Sequence, residues 1–300
     1  MSEYDQLAAP GYPVFLGSEY PQPEPNDARF HILPVPYERS VSYGGGTGLG
    51  PAAILEASWQ LEKWDGKSIP GDLGIYTHAP SRVGVKESVV DLQAIDVIAK
   101  DVQSIVELGG MPVVLGGEHT VTYGVIKGFL AAGIDDFGVI QIDAHADLRD
   151  TYEGNPFSHA SAMKRIVDED IPLFQLGIRA FCEEEIATRK VYGVHHIDAD
   201  ILVPRNIQRI DLPDDFPDKV FITIDVDGLD PSVFPATGTP VPGGVGWYQT
   251  LSLLESVAKQ CEVIGFDVME FAPIKGFHAY EFSAALLCYK MMGIIQRAQH

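Results

Sequence analysis

Three short apolar, β-rich runs each end in side chains that bind metal ions, which restricts the chain to folds where several strand ends converge. Phe137-Gly138-Val139-Ile140-Gln141-Ile142 leads into Asp143-Ala144-His145-Ala146-Asp147, and Val220-Phe221-Ile222-Thr223-Ile224 leads into Asp225-Val226-Asp227-Gly228-Leu229-Asp230-Pro231. Pro112-Val113-Val114-Leu115 leads into Gly116-Gly117-Glu118-His119. Strand side chains alternate faces, so residues 143, 145 and 147 point the same way while that period holds, as do 225 and 227. Four carboxylates and two imidazoles therefore arrive at equivalent strand ends. Carboxylates crowded into a crevice repel one another and are costly to desolvate, which implies cations. Asp143, Asp147, Asp225 and Asp227 carry four negative charges, which two divalent ions balance. Carboxylate oxygen mixed with imidazole suits a harder ion such as Mn²⁺, and no cysteine lies near these motifs.

Elsewhere the pattern alternates. His31 to Pro36 reads as a short strand, Gly44 to Gly50 as a loop, and Pro51 opens a helix through Trp64. Apolar spacing predicts a helix over Val89 to Leu108. Further helices are expected near 120–132, 159–169, 182–192, 247–259 and 281–298, and further strands at 172–177, 194–197 and 262–268. Such alternation predicts an α/β fold with a three-layer α-β-α arrangement and a central, mainly parallel sheet. In such sheets ligands gather beyond the carboxyl ends of the strands, where all three motifs fall. Residues 1–28 are proline-rich and read as an arm over the surface or at a subunit contact. No repeat, low-complexity tract or linker divides residues 1–300, which are expected to form one domain.

Charge narrows the partners. The chain carries 21 basic against 42 acidic residues, net −21, which disfavours nucleic acid and anionic membranes. No basic start precedes an apolar stretch, and no run reaches the roughly 18 to 20 apolar residues that span a bilayer. Cys182, Cys261 and Cys288 are scattered without metal-type spacing and read as reduced thiols, which suits a cytoplasmic location.

Taken in order, these motifs resemble the signatures of the ureohydrolase family, which comprises arginase, agmatinase, guanidinobutyrase and formiminoglutamase. The resemblance rests on Gly116-Gly117-Glu118-His119, Asp143 to Asp147, Ser158-His159-Ala160-Ser161 and Asp225 to Pro231. Pro36-Tyr37-Glu38, Gly44 to Pro51 and Thr237 to Gly244 extend it over roughly residues 31–290. It implies an arginase-like fold and a pair of Mn²⁺ ions. By that likeness His119, Asp143, Asp147 and Asp225 hold one ion, Asp143, His145, Asp225 and Asp227 hold the other, and Asp143 and Asp225 bridge. Two divalent ions roughly 3.5 to 4 Å apart can share a water and lower its pKa towards neutrality. The likeness also places Glu270 as the carboxylate that grips the guanidinium group, and His159 as the imidazole that passes a proton to the leaving amine. Asp147 is placed to relay a proton as well. Trimers or hexamers of identical chains are implied.

The implied substrate is a small guanidino compound. Arginase-like chains carry Asn and Ser soon after the Asp-x-His-x-Asp motif to grip an amino acid. Here Leu148 to Phe157 lacks that pattern and resembles agmatinase-type sequences, which implies agmatine cleaved to putrescine and urea. Asp150 and Glu153 could favour a distal ammonium. An inward Arg149 would instead favour the carboxylate of 4-guanidinobutyrate, and a formimino substrate or a noncatalytic metal-binding scaffold are the remaining alternatives. Ala236 and Leu49 depart from the usual family residues and bear on loop shape and assembly.

Overall fold

The computed structural model of the chain describes residues 12–83 and 91–299. Eight strands form one sheet: β1 (Phe30–Val35), β2 (Ile75–Thr77), β3 (Met111–Gly116), β4 (Gly138–Ile142), β5 (Leu173–Leu176), β6 (His195–Ile197), β7 (Lys219–Asp225) and β8 (Glu262–Met269). Their order is β2-β1-β3-β8-β7-β4-β5-β6, and every pairing is parallel. The expected mainly parallel sheet is thus wholly parallel among the described residues. The helices are α1 (Gly50–Ser58), α2 (Asp91–Glu107), α3 (Thr120–Ala131), α4 (Ala162–Val167), α5 (Glu183–Tyr192), α6 (Ala199–Leu202), α7 (Trp247–Ala258) and α8 (Ala279–Gln299).

Strand alternation divides the interior into two cores. Ile140, Ile142, Ile222, Ile224, Phe266 and Val268 pack with α1, α7 and α8 on one face. Val139, Phe221 and Met269 pack with α2, α3 and α4 on the other. That is the predicted three-layer arrangement. Towards the carboxyl ends the second face turns polar, because Gln141, Gln175, Thr223 and Asp267 occupy strand positions and are fully buried. They face the metal-type residues rather than another apolar layer.

Several expected boundaries shift. Helix α1 ends at Ser58, not Trp64, because the N-terminal segment takes over its last turn: the Trp59 indole donates to Val14 O at 2.7 Å and Ser18 Oγ donates to Trp59 O at 2.7 Å. The same segment buries Phe15 and Leu16 in the core, so its described part is more than a surface arm. Residues 1–11, which belong to that expected arm, lie outside the described residues, as do 89 and 90 at the start of the expected second helix. The expected helix from 159 is a single 3-10 turn, His159–Ser161, followed by α4. Strand β2 and helix α6 were not anticipated, being too short to show a period.

His31 and His78 form a pair with Nδ1 and Nε2 2.9 Å apart. Burial holds both imidazoles below their ordinary value, His78 at about 4 with the neighbouring His31 adding to the effect. The unfolded chain therefore binds protons here that the folded chain refuses, and stability falls as pH drops from about 6.5 towards 4. With solvent screening of the partly exposed His78 the loss is on the order of 1 kcal/mol. Urea melts at saturating Mn²⁺ should show this slope in the parent chain and a shallower one in His78→Gln; equal slopes would remove the pair as its source.

Candidate metal centre and active site

The three motifs meet beyond the ends of β3, β4 and β7. His119 Nδ1 lies 3.1 Å from Asp143 Oδ2, 3.0 Å from Asp147 Oδ2 and 3.3 Å from Asp225 Oδ2. His145 Nδ1 lies 2.9 Å from Asp227 Oδ2 and 3.7 Å from Asp143 Oδ1. Two overlapping groups of candidate ligands result: His119, Asp143 and Asp225, and Asp143, His145 and Asp227. Asp143 belongs to both, as expected of a bridge, whereas Asp225 falls within the first group alone. Asp147 joins the first through its approach to His119.

The donor set fits divalent cations. His119 Nδ1 is buried and has no hydrogen-bond partner among the described residues, although three carboxylate oxygens surround it. Lone pairs converging in this way call for a positive ion. His119 Nε2 lies 2.8 Å from Thr223 Oγ1, an acceptor for the proton that a ligating Nδ1 must not carry. Burial, then repulsion from neighbouring acids, raises Asp143 to about 7 and Asp225 well above the carboxylate range. Burial acts the same way on Asp227, but the His145 imidazole outweighs it and holds Asp227 at about 2. Against its own burial, His145 is lifted to about 10 by Asp227. Without cations the crowded acids and imidazoles hold protons that a divalent ion would displace.

Supporting residues set the ligand orientations. Asp198 takes Arg189 through two contacts of 3.0 Å, and Arg189 Nε donates to Gln175 Oε1 at 2.8 Å. With its oxygen so engaged, Gln175 donates to Gln141 Oε1 at 2.6 Å, and Gln141 Nε2 then donates to Asp143 Oδ2 at 2.7 Å. Each amide orientation is fixed by the one before it. Arg179 donates to the carbonyls of Gly177, Asp227, Gly228 and Val241, tying the β5 and β7 loops together. Asp230 accepts the Gly243 and Gly244 amides and so supports the following loop.

Glu270 and Asp147 adopt left-handed backbone angles, φ 60 and 52, that non-glycine residues rarely take. Glu270 is buried, and its Oε1 accepts the His119 amide at 2.7 Å. Gly117 makes that approach possible: its carbonyl accepts the Glu270 amide, and an added Cβ would sit 1.9 Å from Tyr37 O.

A cavity of about 210 Å³ opens above the cluster, lined by His145, Asp147, Asp225, Asp227, His159 and Glu270 together with Arg149, Tyr152 and Glu185. His119 and Asp143 lie beneath it, fully buried or nearly so. Asp150, an expected site for a distal ammonium, instead binds Arg165 at 2.8 Å and is largely exposed. Arg149 stands 4.0 Å from Glu185 and over the Tyr152 ring. Sequence reasoning did not find Thr223, Gln141, Gln175 or Asp267, although polar residues inside otherwise apolar strands are a signal that could have done so.

Comparison with known proteins decides the ancestry. The profile of the Arginase family matches residues 28–293. The chain belongs to the arginase family. Its members hydrolyse guanidino groups to urea with the help of a metal pair, and the donor set above fits that chemistry. An N(1)-aminopropylagmatine ureohydrolase of Synechocystis sp. is 39% identical over 285 residues, 89% of each chain. An agmatinase of Pyrococcus horikoshii is 30% identical over 283 residues, 93% of this chain and 96% of that one. Among solved structures, the agmatine ureohydrolase of Thermoplasma volcanium superposes with a TM-score of 0.78 at 25% identity over the whole of both chains. These likenesses bear out both the resemblance and the arginase-like fold.

Proposed function

We propose that this arginase-family ureohydrolase cleaves agmatine to putrescine and urea at the cavity above Asp143. The observation that carries the reading is Glu270. One of its oxygens is fixed by the His119 amide, while the residue lines the same cavity as the metal-type cluster. A carboxylate so placed can take a guanidinium by parallel charge-assisted hydrogen bonds and present its carbon to the cluster. His119, Asp143, Asp147, Asp225, His145 and Asp227 would hold two Mn²⁺ ions. When bound, the pair lowers the pKa of a shared water towards neutrality. Asp147 and His159 both line the cavity; Asp147 would accept the proton of a water so activated, and His159 would give one to the departing amine.

The relatives named above support a cationic rather than a carboxylate tail on the substrate. Arg149 in the cavity wall is the feature that favours 4-guanidinobutyrate, but Glu185 stands beside it and offsets its charge. The enzyme is assigned to the cytoplasm as a homotrimer or homohexamer of single-domain subunits. Among the described residues no helix is long and apolar enough to cross a membrane.

Urea release after loading with Mn²⁺ tests the assignment, using agmatine, N(1)-aminopropylagmatine, arginine and 4-guanidinobutyrate. Agmatine should exceed arginine and 4-guanidinobutyrate by at least about 10-fold in kcat/KM, since an unmatched charged tail costs more than 1.4 kcal/mol. A preference for either of those two overturns the substrate.

A further inference from the structure

His159 is held by a segment that none of the family motifs singles out. Its backbone amide donates to Ser40 Oγ at 2.9 Å, and its ring Nδ1 lies 3.1 Å from the same oxygen. Ser40 Oγ is also 2.8 Å from Glu118 Oε1, and Glu118 is fully buried. Three donors meet that carboxylate, the Arg39 and Ser40 amides at Oε2, the latter at 2.6 Å, and the Ser40 hydroxyl at Oε1; the Thr120 hydroxyl also lies at Oε1, 2.9 Å away, with Phe157 O at 3.1 Å as its other acceptor. Its place in this ring of donors is that of an acceptor.

A count of protons then settles the histidine. Ser40 has a single hydroxyl hydrogen, and Glu118 takes it. Its oxygen is left as an acceptor towards both contacts from His159, so the proton between Nδ1 and Oγ belongs to Nδ1. The exchangeable nitrogen is consequently Nε2, on the far side of a ring that lines the cavity. We propose that Ser40, oriented by Glu118, is a positioning residue that fixes the Nδ1–H tautomer of His159 and reserves Nε2 for proton transfer in the cavity. In the acid form, Nδ1–H stays on Ser40 while the Nε2 proton passes to the departing nitrogen, leaving neutral imidazole in the same orientation. Tyr152, whose ring meets His159 edge-on with centroids 5.6 Å apart, limits the alternative of a flipped ring.

The kinetic part of this inference rests on the proton-donor reading of His159, but the tautomer does not, and the test separates them. Histidine-¹⁵N-labelled protein loaded with diamagnetic Mg²⁺ is compared with Ser40→Ala, Ser40→Thr and Glu118→Gln, and the His159 signals are assigned by their loss in His159→Gln. The parent and Ser40→Thr should show Nδ1 protonated and Nε2 bare at high pH. Ser40→Ala should show a mixture of both tautomers. Glu118→Gln should invert the tautomer, because its amide would donate to Ser40 and turn the hydroxyl hydrogen towards Nδ1. Nε2–H in the parent, or a Ser40→Ala spectrum matching the parent, overturns the proposal.

In the Mn²⁺-loaded enzyme, Ser40→Ala should lower kcat on the order of 10-fold with KM and metal content little changed, and the threonine should restore it. Parent-like kcat in His159→Gln sinks the proton-donor reading alone. Parent-like kcat in Ser40→Ala, with kcat lost in His159→Gln, sinks the positioning role.

Discussion

Asp143→Ala is expected to abolish urea release, by at least about 10³-fold, and to empty both metal positions at once. This carboxylate belongs to both ligand groups, with Oδ2 next to His119 and Oδ1 towards His145. The ions contribute several kcal/mol to such a reaction, and each 1.36 kcal/mol is a tenfold change in rate. Asp227→Ala provides the contrast, because it leaves His119, Asp143 and Asp225 together and should lose one ion of the two. Metal content after dialysis, measured beside urea release, distinguishes these outcomes. Two ions retained in Asp143→Ala would refute the shared ligand. The parent protein should also melt at a lower temperature after chelation and recover with Mn²⁺, since ions bound by the folded state stabilise it by mass action. Asp143→Ala should show little of that response.

Glu270→Gln should lower kcat/KM for agmatine by about 10²–10³-fold while leaving metal content intact. The amide oxygen can replace Oε1 as acceptor for the His119 amide, so the local backbone has no reason to move. Its NH₂ then faces the cavity, where donor meets donor when a guanidinium enters. Removing one partner of a buried charged pair costs roughly 2–5 kcal/mol, about 30- to 5,000-fold, which brackets that range. Were Glu270 only a brace for the His119 backbone, the glutamine enzyme would keep nearly parental kinetics. Burial, with repulsion from Glu118, raises the Glu270 carboxyl well above its ordinary value in the metal-free chain.

The metal-type residues were legible because each follows its strand within a few positions, and a strand's apolar run announces where it ends. Most of their supports were not, because, apart from Gln141 beside Asp143, they act across long separations. His119 and Thr223 are 104 residues apart, and Thr122 reaches Asp267 over 145. A polar residue inside an apolar strand marks such a threonine as a candidate, but nothing local names the histidine it meets. Strand β2 escaped for a different reason, since three residues cannot display a period. The end of α1 was misplaced because the residues that interrupt it, Val14 and Ser18, lie some 40 positions upstream. Asp150 was a plausible anchor by sequence neighbourhood, yet Arg165 from the following helix turns it away from the cavity.

The place of β8 in the sheet governs when the enzyme can become active during its synthesis. β8 is the last strand made, yet it sits between β3 and β7 and pairs with both. Until it emerges from the ribosome, the β3 edge that carries His119 and the β7 edge that carries Asp225 have no strand to join them. Non-local pairing of this kind is also slow to form. A nascent chain that lacks β8 has no strand to bring the two halves of the ligand cluster together, so ions are expected to enter only after β8 has emerged. The ion pool around the folded chain is then expected to set which metal it takes up.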